Sequence, residues 1–154
     1  MAVSSRMQSR LASIDKLVSE GYKLSRVWNA FPVLISSSGA RKNISVTGPA
    51  GFSWIAFFFP FAVCAQVKEW SYFYVAGFVY LVGAVIHKAL GWDPSSALGI
   101  ALGFQYGLYY PYLRWLSLQE QRQEMSVGLS IVIGLLLSVV CIIPSIVFEG
   151  LFIS

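Results

Sequence analysis

Apolar residues recur along this chain in two rhythms. Over residues 5–31 they come at helical steps: Met7, Leu11, Ile14 and Val18, then, after Gly21, Leu24, Val27, Trp28 and Phe31. Three- and four-residue spacing of this kind predicts one or two amphipathic helices. Arg6, Arg10, Lys16, Lys23 and Arg26 fall between the apolar positions. An apolar stripe beside basic residues suits a helix lying on a membrane surface. It suits equally a helix packed on a partner or on the chain's own apolar segments, and periodicity does not separate the two. Ser36-Ser37-Ser38-Gly39 and Gly48-Pro49-Ala50-Gly51 then mark loop, with Asn43-Ile44-Ser45-Val46-Thr47 as a short extended piece between them. The organisation expected is a basic, amphipathic region over 1–50, cytoplasmic or interfacial, followed by a transmembrane helical domain over 51–154.

From Gly51 the second rhythm begins: four nearly continuous apolar runs, at about 51–67, 70–87, 95–113 and 126–148. The first has 17 residues, the lower limit for a spanning helix. Pro60 lies in its middle and predicts a kink, because proline removes a backbone donor and clashes with the preceding turn. The second ends at His87 and Lys88, and Gly91-Trp92-Asp93-Pro94 closes it. The third opens at Ser95 or Ser96 as an N-cap. The fourth, 23 residues without a charge, is the plainest span. Only Lys68 and Glu69 divide the first two runs. One long span across them would bury both charges, at about 2.5–3.5 kcal/mol for a central lysine. A tight helical hairpin with these residues at the far interface is therefore expected, although the turn lacks Gly, Pro and Asn. A shallow re-entrant pair is the alternative, since backbone at membrane depth is tolerated where protein covers it. The fold class expected is all-α: an integral membrane helical bundle of about four transmembrane helices with an N-terminal amphipathic helical region.

Composition strengthens this reading. Charged residues are 12% of the 154, about half the roughly 25% of a soluble domain, so a water-facing surface cannot be built from them. Apolar residues at 56% and a mean hydropathy of +0.66 exclude disorder, collagen, a disulfide scaffold and a coiled coil. The net charge is +4, with +5 in residues 1–50 and −1 in the remainder. A basic segment can bind anionic lipid or nucleic acid, or obey the positive-inside rule. Beside apolar spans the last is the simplest, and no nucleic-acid partner is expected. With the N-terminus in the cytoplasm, four spans put seven N-terminal basic residues and Lys88 inside, against Lys68, Arg114 and Arg122 outside, and both termini are cytoplasmic. The first 30 residues lack the continuous apolar run of a cleavable signal peptide.

Small residues form the sharpest local pattern. Gly99, Gly103 and Gly107 share one helix face at steps of four, and Ser126, Ser130, Gly134 and Ser138 form a companion row. Such rows let helix backbones approach closely. The rows are expected to face each other within one chain, with a seam to a second copy or a partner as the alternative. Trp54, Trp70, Trp92 and Trp115 lie near span ends, as does the cluster Tyr106, Tyr109, Tyr110 and Tyr112, in the manner of an interfacial belt. Trp54, His87 and Lys88 are the interfacial candidates, with Lys88 able to snorkel to headgroups. Gln105 is expected to hydrogen-bond across helices, with a place in a small polar pocket as the alternative. Glu149 is expected at an interface.

Reactive chemistry is thin. His87 is the single histidine, and Cys64 and Cys141 lie apart in apolar runs, so neither a zinc site nor a disulfide framework is indicated. The chain has no Walker loop, dinucleotide fingerprint, His-Glu-x-x-His or Gly-x-Ser-x-Gly. No catalytic, cofactor-binding or metal-binding residue is assigned, and no cofactor is implied.

Residues 51–70 read GFSWIAFFFPFAVCAQVKEW. Gly51, Phe52, Ser53, Trp54, Ala56, Phe57, Phe58 and Phe59, followed by Lys68 and Trp70, resemble the opening of the membrane part of the domain of unknown function 2628 family of small bacterial inner-membrane proteins. The resemblance implies a bacterial membrane protein and supplies no catalytic residues. The function expected is non-enzymatic: a small membrane protein that associates with itself or serves as an accessory subunit of a larger membrane complex. The bilayer and a second copy or membrane complex are the partners. The alternatives are a small oligomeric channel, transporter or holin-like pore, and a membrane-embedded enzyme using residues such as His87 and Asp93.

Overall fold

The helix predicted from the N-terminal stripe forms over its first half only. In the computed structural model, which describes residues 4–42 and 44–152, α1 runs Ser5–Ser19. The Ser4 hydroxyl caps it by accepting from the Met7 N–H. It ends in a Schellman motif: Gly21 takes a left-handed φ of +94°, its N–H donates to Val18 O, and Tyr22 N–H donates to Leu17 O. Met7, Ile14 and Leu17 are buried and Leu11 half-buried against the rest of the chain, so the stripe faces the protein's own helices.

Beyond Gly21 the expected second helix is absent. Leu24 and Phe31 instead belong to an antiparallel hairpin, β1 (Lys23–Val27) and β2 (Phe31–Ile35), with Leu24 opposite Leu34. Pro32 explains the outcome, because proline would break a helix here. In the sheet it is tolerated, because the third strand, β3 (Arg41–Lys42), reaches only Leu34 and Ile35. Ile44 to Thr47 form no strand, and Asn43 lies outside the described residues. The fold is thus mostly helical with a small three-stranded sheet, not all-α.

The apolar run 51–67 is not one helix. It breaks at Phe59 into α2 (Trp54–Phe58) and α3 (Pro60–Gln66), with Pro60 at the first position of α3, where its missing N–H costs nothing. The pair turns back on itself, so that α2 runs along α5 (Ser95–Gln119) and α3 along α6 (Val127–Phe152). Between α3 and α5 comes α4 (Ser71–Leu90), closed by Gly91 at φ +67°. Pro94, rather than Ser95 or Ser96, is the N-cap of α5, and the Asp93 carboxylate just before it accepts from the Ser95 N–H and hydroxyl. These bonds hold the Asp93 carboxyl below the usual aspartate range. Two helices, Ser71–Leu90 and Val127–Leu151, are long and apolar enough to cross a membrane. The C-terminal half of α5 is built instead into a cap formed with α1 and the small sheet, where Tyr112 and Leu116 join Ile14, Leu17, Leu24, Leu34 and Ala50 in one buried cluster.

The small-residue rows do not face each other. Each receives one arm of the broken segment. A Cβ on Gly103 would lie 2.6 Å from the Phe57 carbonyl oxygen, and one on Gly134 would lie 2.7 Å from that of Phe61. Gly107 makes room for the Phe52 ring, whereas Gly99 meets only the Tyr80 hydroxyl at 3.4 Å. Ser130 and Ser138 turn inward on their own helix, donating to Val127 O and Gly134 O, and Ser126 caps α6 by accepting from Leu129 N–H. The contact of α4 with α6 uses a glycine outside both rows, Gly77, which lies against Cys141 O.

This packing makes the glycines unequal. Gly103→Ala and Gly134→Ala should each lower stability by about 1–3 kcal/mol through overpacking. Gly128→Ala, with nothing within 4 Å of the new methyl group, should be neutral or stabilising by up to about 1 kcal/mol. Thermal melts of the purified chain in mild detergent read the difference, and equal losses at all three sites would refute the packing.

Candidate functional site

The candidate site is a groove between the β1–β2 hairpin and α4, and it begins with the ends of two helices. Both α3 and α5 end in Schellman motifs without glycine. Lys68, at φ +57°, follows α3, and its N–H donates to Ala65 O while Glu69 N–H donates to Cys64 O. Gln121, at φ +54°, follows α5, with Gln121 N–H on Leu118 O and Arg122 N–H on Ser117 O. The residues just past the two turns, Glu69 and Arg122, are thereby brought 3.9 Å apart.

Arg26 of β1 completes the cluster. Its Nη2 lies 2.8 Å from Glu69 Oε2 and its Nη1 lies 3.0 Å from Glu120 Oε1. Arg122 Nε lies 2.6 Å from Glu120 Oε2, and Arg122 Nη1 donates to Lys68 O. The Ser71 hydroxyl donates to Glu69 Oε1. Two arginines and two glutamates thus form a neutral clasp that ties the hairpin to α4 and to the end of α5. A second pair, Arg114 with Glu124, is bidentate at 2.7 and 2.8 Å. Arg10 donates to Phe52 O, and Trp115 Nε1 donates to Asp15.

The groove opens beside this clasp, with a volume of about 740 Å³. Arg26, Lys68, Glu69 and Arg122 line its charged part, and Trp70, Tyr74 and Phe78 its α4 wall. Trp28 and Phe31 line the hairpin side, and Gln105 contributes an amide. Gln105 therefore lines a pocket instead of the expected interhelical hydrogen bond, which is not found for it among the described residues. Trp28 and Asn29 both have positive φ, at +52° and +55°, the sign of a type I′ turn, where Asn-Gly is the usual pair. Trp28 is held there 87% exposed, an unusual conformation for a bulky residue.

The residues singled out from the sequence divide between the two ends of the molecule. Trp54 stands exposed in α2 near the cap, with its ring on Phe58 and Phe52. His87 and Lys88 stand at the opposite end, where His87 Nδ1 is 3.8 Å from Glu149. The grouping of charges differs from the expected one. Lys68, Arg114 and Arg122 share the end of the N-terminal region, as their bonds to Arg26, Glu120 and Glu124 require, and Lys88 lies at the other. Arg26, Glu69, Glu120 and Arg122 have no sequence signature as a group, because they come from three separate stretches of chain. Among the described residues no group of three or more His, Cys, Asp or Glu is placed to hold a metal ion. Comparison with models of known families, with curated proteins and with solved structures gives no match, so the resemblance over residues 51–70 rests on those residues alone.

The clasp predicts unequal costs for its two acids. The Glu69 side chain is 4% exposed and that of Glu120 39%. Glu69→Gln should therefore destabilise by up to about 3–5 kcal/mol, since it leaves the buried Arg26 guanidinium with only the exposed Glu120 as a counter-charge. Glu120→Gln should cost no more than about 1 kcal/mol. Denaturant melts of the two variants, monitored on the cap, separate the cases, and a Glu69→Gln loss no larger than that of Glu120→Gln would count against the clasp.

Proposed function

We propose that this chain is a non-enzymatic integral membrane protein, a small binding or accessory component that presents the groove beside its clasp at the cytoplasmic face of a bacterial inner membrane. The observation that carries the reading is the clasp, because it ties a polar cap to the end of helices whose flanks are apolar. Only 22% and 11% of the most apolar stretches of α4 and α6 are buried. Helices so apolar and so exposed need an apolar solvent. In this reading α4, α5 and α6 cross the bilayer, and α2–α3 dips in from the cap side and returns. Irregular backbone at that depth is allowed where protein covers it. The cap end then holds ten of the eleven basic residues, all but Lys88, which the positive-inside rule assigns to the cytoplasm. Three crossings put the C-terminus on the other side. The resemblance of residues 51–70 supports the bacterial setting.

Self-association through the small-residue rows loses its main support, since Gly103, Gly107 and Gly134 are filled from within the chain. A partner subunit or lipid would meet the groove and the outer faces of α4 and α6.

Single cysteines at Ser38, Gln123 and Ser96, probed with a membrane-impermeant maleimide, test the arrangement. The unmodified chain, with Cys64 buried and Cys141 half-buried, sets the background. Ser38 and Gln123 should label from one side and Ser96 from the other. Opposite labelling of Ser38 and Gln123 would restore the four-span arrangement. Native mass of the extracted protein tests the role: this chain alone or with a stoichiometric foreign chain is expected. A defined homo-oligomer that conducts ions would replace the reading with a channel.

A further inference from the structure

We infer that the groove between the β1–β2 hairpin and α4 is a binding site for one anionic glycerophospholipid, its headgroup phosphate at Lys68 and its acyl chains along Tyr74 and Phe78. The inference deepens the membrane reading above and rests on it.

Charge identifies the headgroup. Within the clasp Arg26 and Arg122 are balanced by Glu69 and Glu120. Lys68 is surplus: it lines the groove and makes no ion pair among the described residues. Arg26 Nε is buried and has no acceptor there. An anionic oxygen at this place would gain an unmatched cation, and the net positive charge favours an anionic headgroup over a zwitterionic one. Basic pockets at the cytoplasmic ends of membrane helices bind lipid headgroups by this chemistry.

The wall identifies the rest of the ligand. Tyr74 and Phe78 lie one turn apart on α4, 77% and 68% exposed, and lead away from the charges along a helix apolar enough to span. An inorganic phosphate has no use for such a wall, whereas acyl chains match it. Gln105 adds a neutral amide that suits the ester and glycerol level. The volume of about 740 Å³ is within the range of ligand sites, roughly 300–1,000 Å³. It holds a headgroup, a glycerol and the first part of the chains.

The test is native mass spectrometry of the full chain in detergent, titrated with phosphatidylglycerol and with phosphatidylcholine. One phosphatidylglycerol should be retained, at least about tenfold more tightly than phosphatidylcholine. Lys68→Asn removes the charge with a residue that also accepts the left-handed conformation, so it should melt like the parent. It should erase most of that preference, whereas Lys88→Gln at the other end should not. Tyr74→Ala, on the exposed wall, should weaken both lipids alike. Equal retention of the two lipids, an unchanged preference in Lys68→Asn, or an unchanged affinity in Tyr74→Ala would overturn the site. Displacement of the lipid by glycerol 3-phosphate at similar concentration would overturn it in favour of a soluble anion. The cysteine labelling, run on the same variants, separates the two levels. If Ser38 and Ser96 label from one side, the three-crossing arrangement falls and the site with it. If the labelling holds but lipids bind without discrimination, the site alone is lost.

Discussion

A broken helix among apolar neighbours must find partners for its backbone, and the rest of this structure follows from how that is done. The run 51–67 is too short and too interrupted to keep its hydrogen bonds to itself. Its approach is secured by Pro111. Proline has no N–H, so Gly107 O loses its helical donor, and Ser53 N–H takes the vacancy at 2.8 Å. Gly107 also gives the neighbouring Phe52 ring its space. At the exit, each carbonyl from Cys64 to Lys68 is taken in turn, by Glu69 N–H, Lys68 N–H, Met125 N–H, the Ser117 hydroxyl and Arg122. Buried peptide groups left unpaired cost several kcal/mol in apolar surroundings, so this sequence of partners is a condition of the fold.

The clasp is a consequence of the same accounting. To satisfy the end of α3, the chain brings the end of α5 alongside it, and the residue past each left-handed turn is then fixed. One is Glu69 and the other Arg122. A lone carboxylate at 4% exposure would be costly, and Arg26 from the hairpin removes that cost. The cap is therefore held by its charges to a feature of the apolar part and is not an independent unit. Its own core is incomplete without Tyr112 and Leu116 of α5.

What the sequence made legible is local. Gly91 carries the usual signal for a helix end, and the apolar runs from 70 and 126 became helices. The glycine row of α5 was legible as a close-packing face, but not the identity of its neighbour, because two helices with small faces look equally matched until a third element is known to lie between them. Lys68 and Gln121 concealed their turns: a residue other than glycine at positive φ has no signature. The stripe Leu24, Val27, Trp28 and Phe31 matched helical spacing by accident, and Pro32 and the Trp28–Asn29 turn decided against it. The candidate site was not legible at all. Its charged residues are separated by up to 96 positions, and only the path of the chain unites them.

That path also changes what a count of charges means. Of the basic residues at the cap end, Arg26, Arg114 and Arg122 are matched by Glu69, Glu120 and Glu124. They contribute structure and almost no field. The charge that a membrane surface or a ligand would sense comes from residues outside these pairs: those along α1, those on the small sheet, and Lys68. Lys68 differs from the others in its setting. It is fixed by a helix-terminating turn whose carbonyl is held by Arg122, and it stands where an exposed aromatic wall begins. Exposed lysines on a mobile surface are screened and give little selectivity. A cation on a rigid turn, at the boundary between a charged cluster and an apolar wall, is the arrangement that can distinguish one headgroup from another.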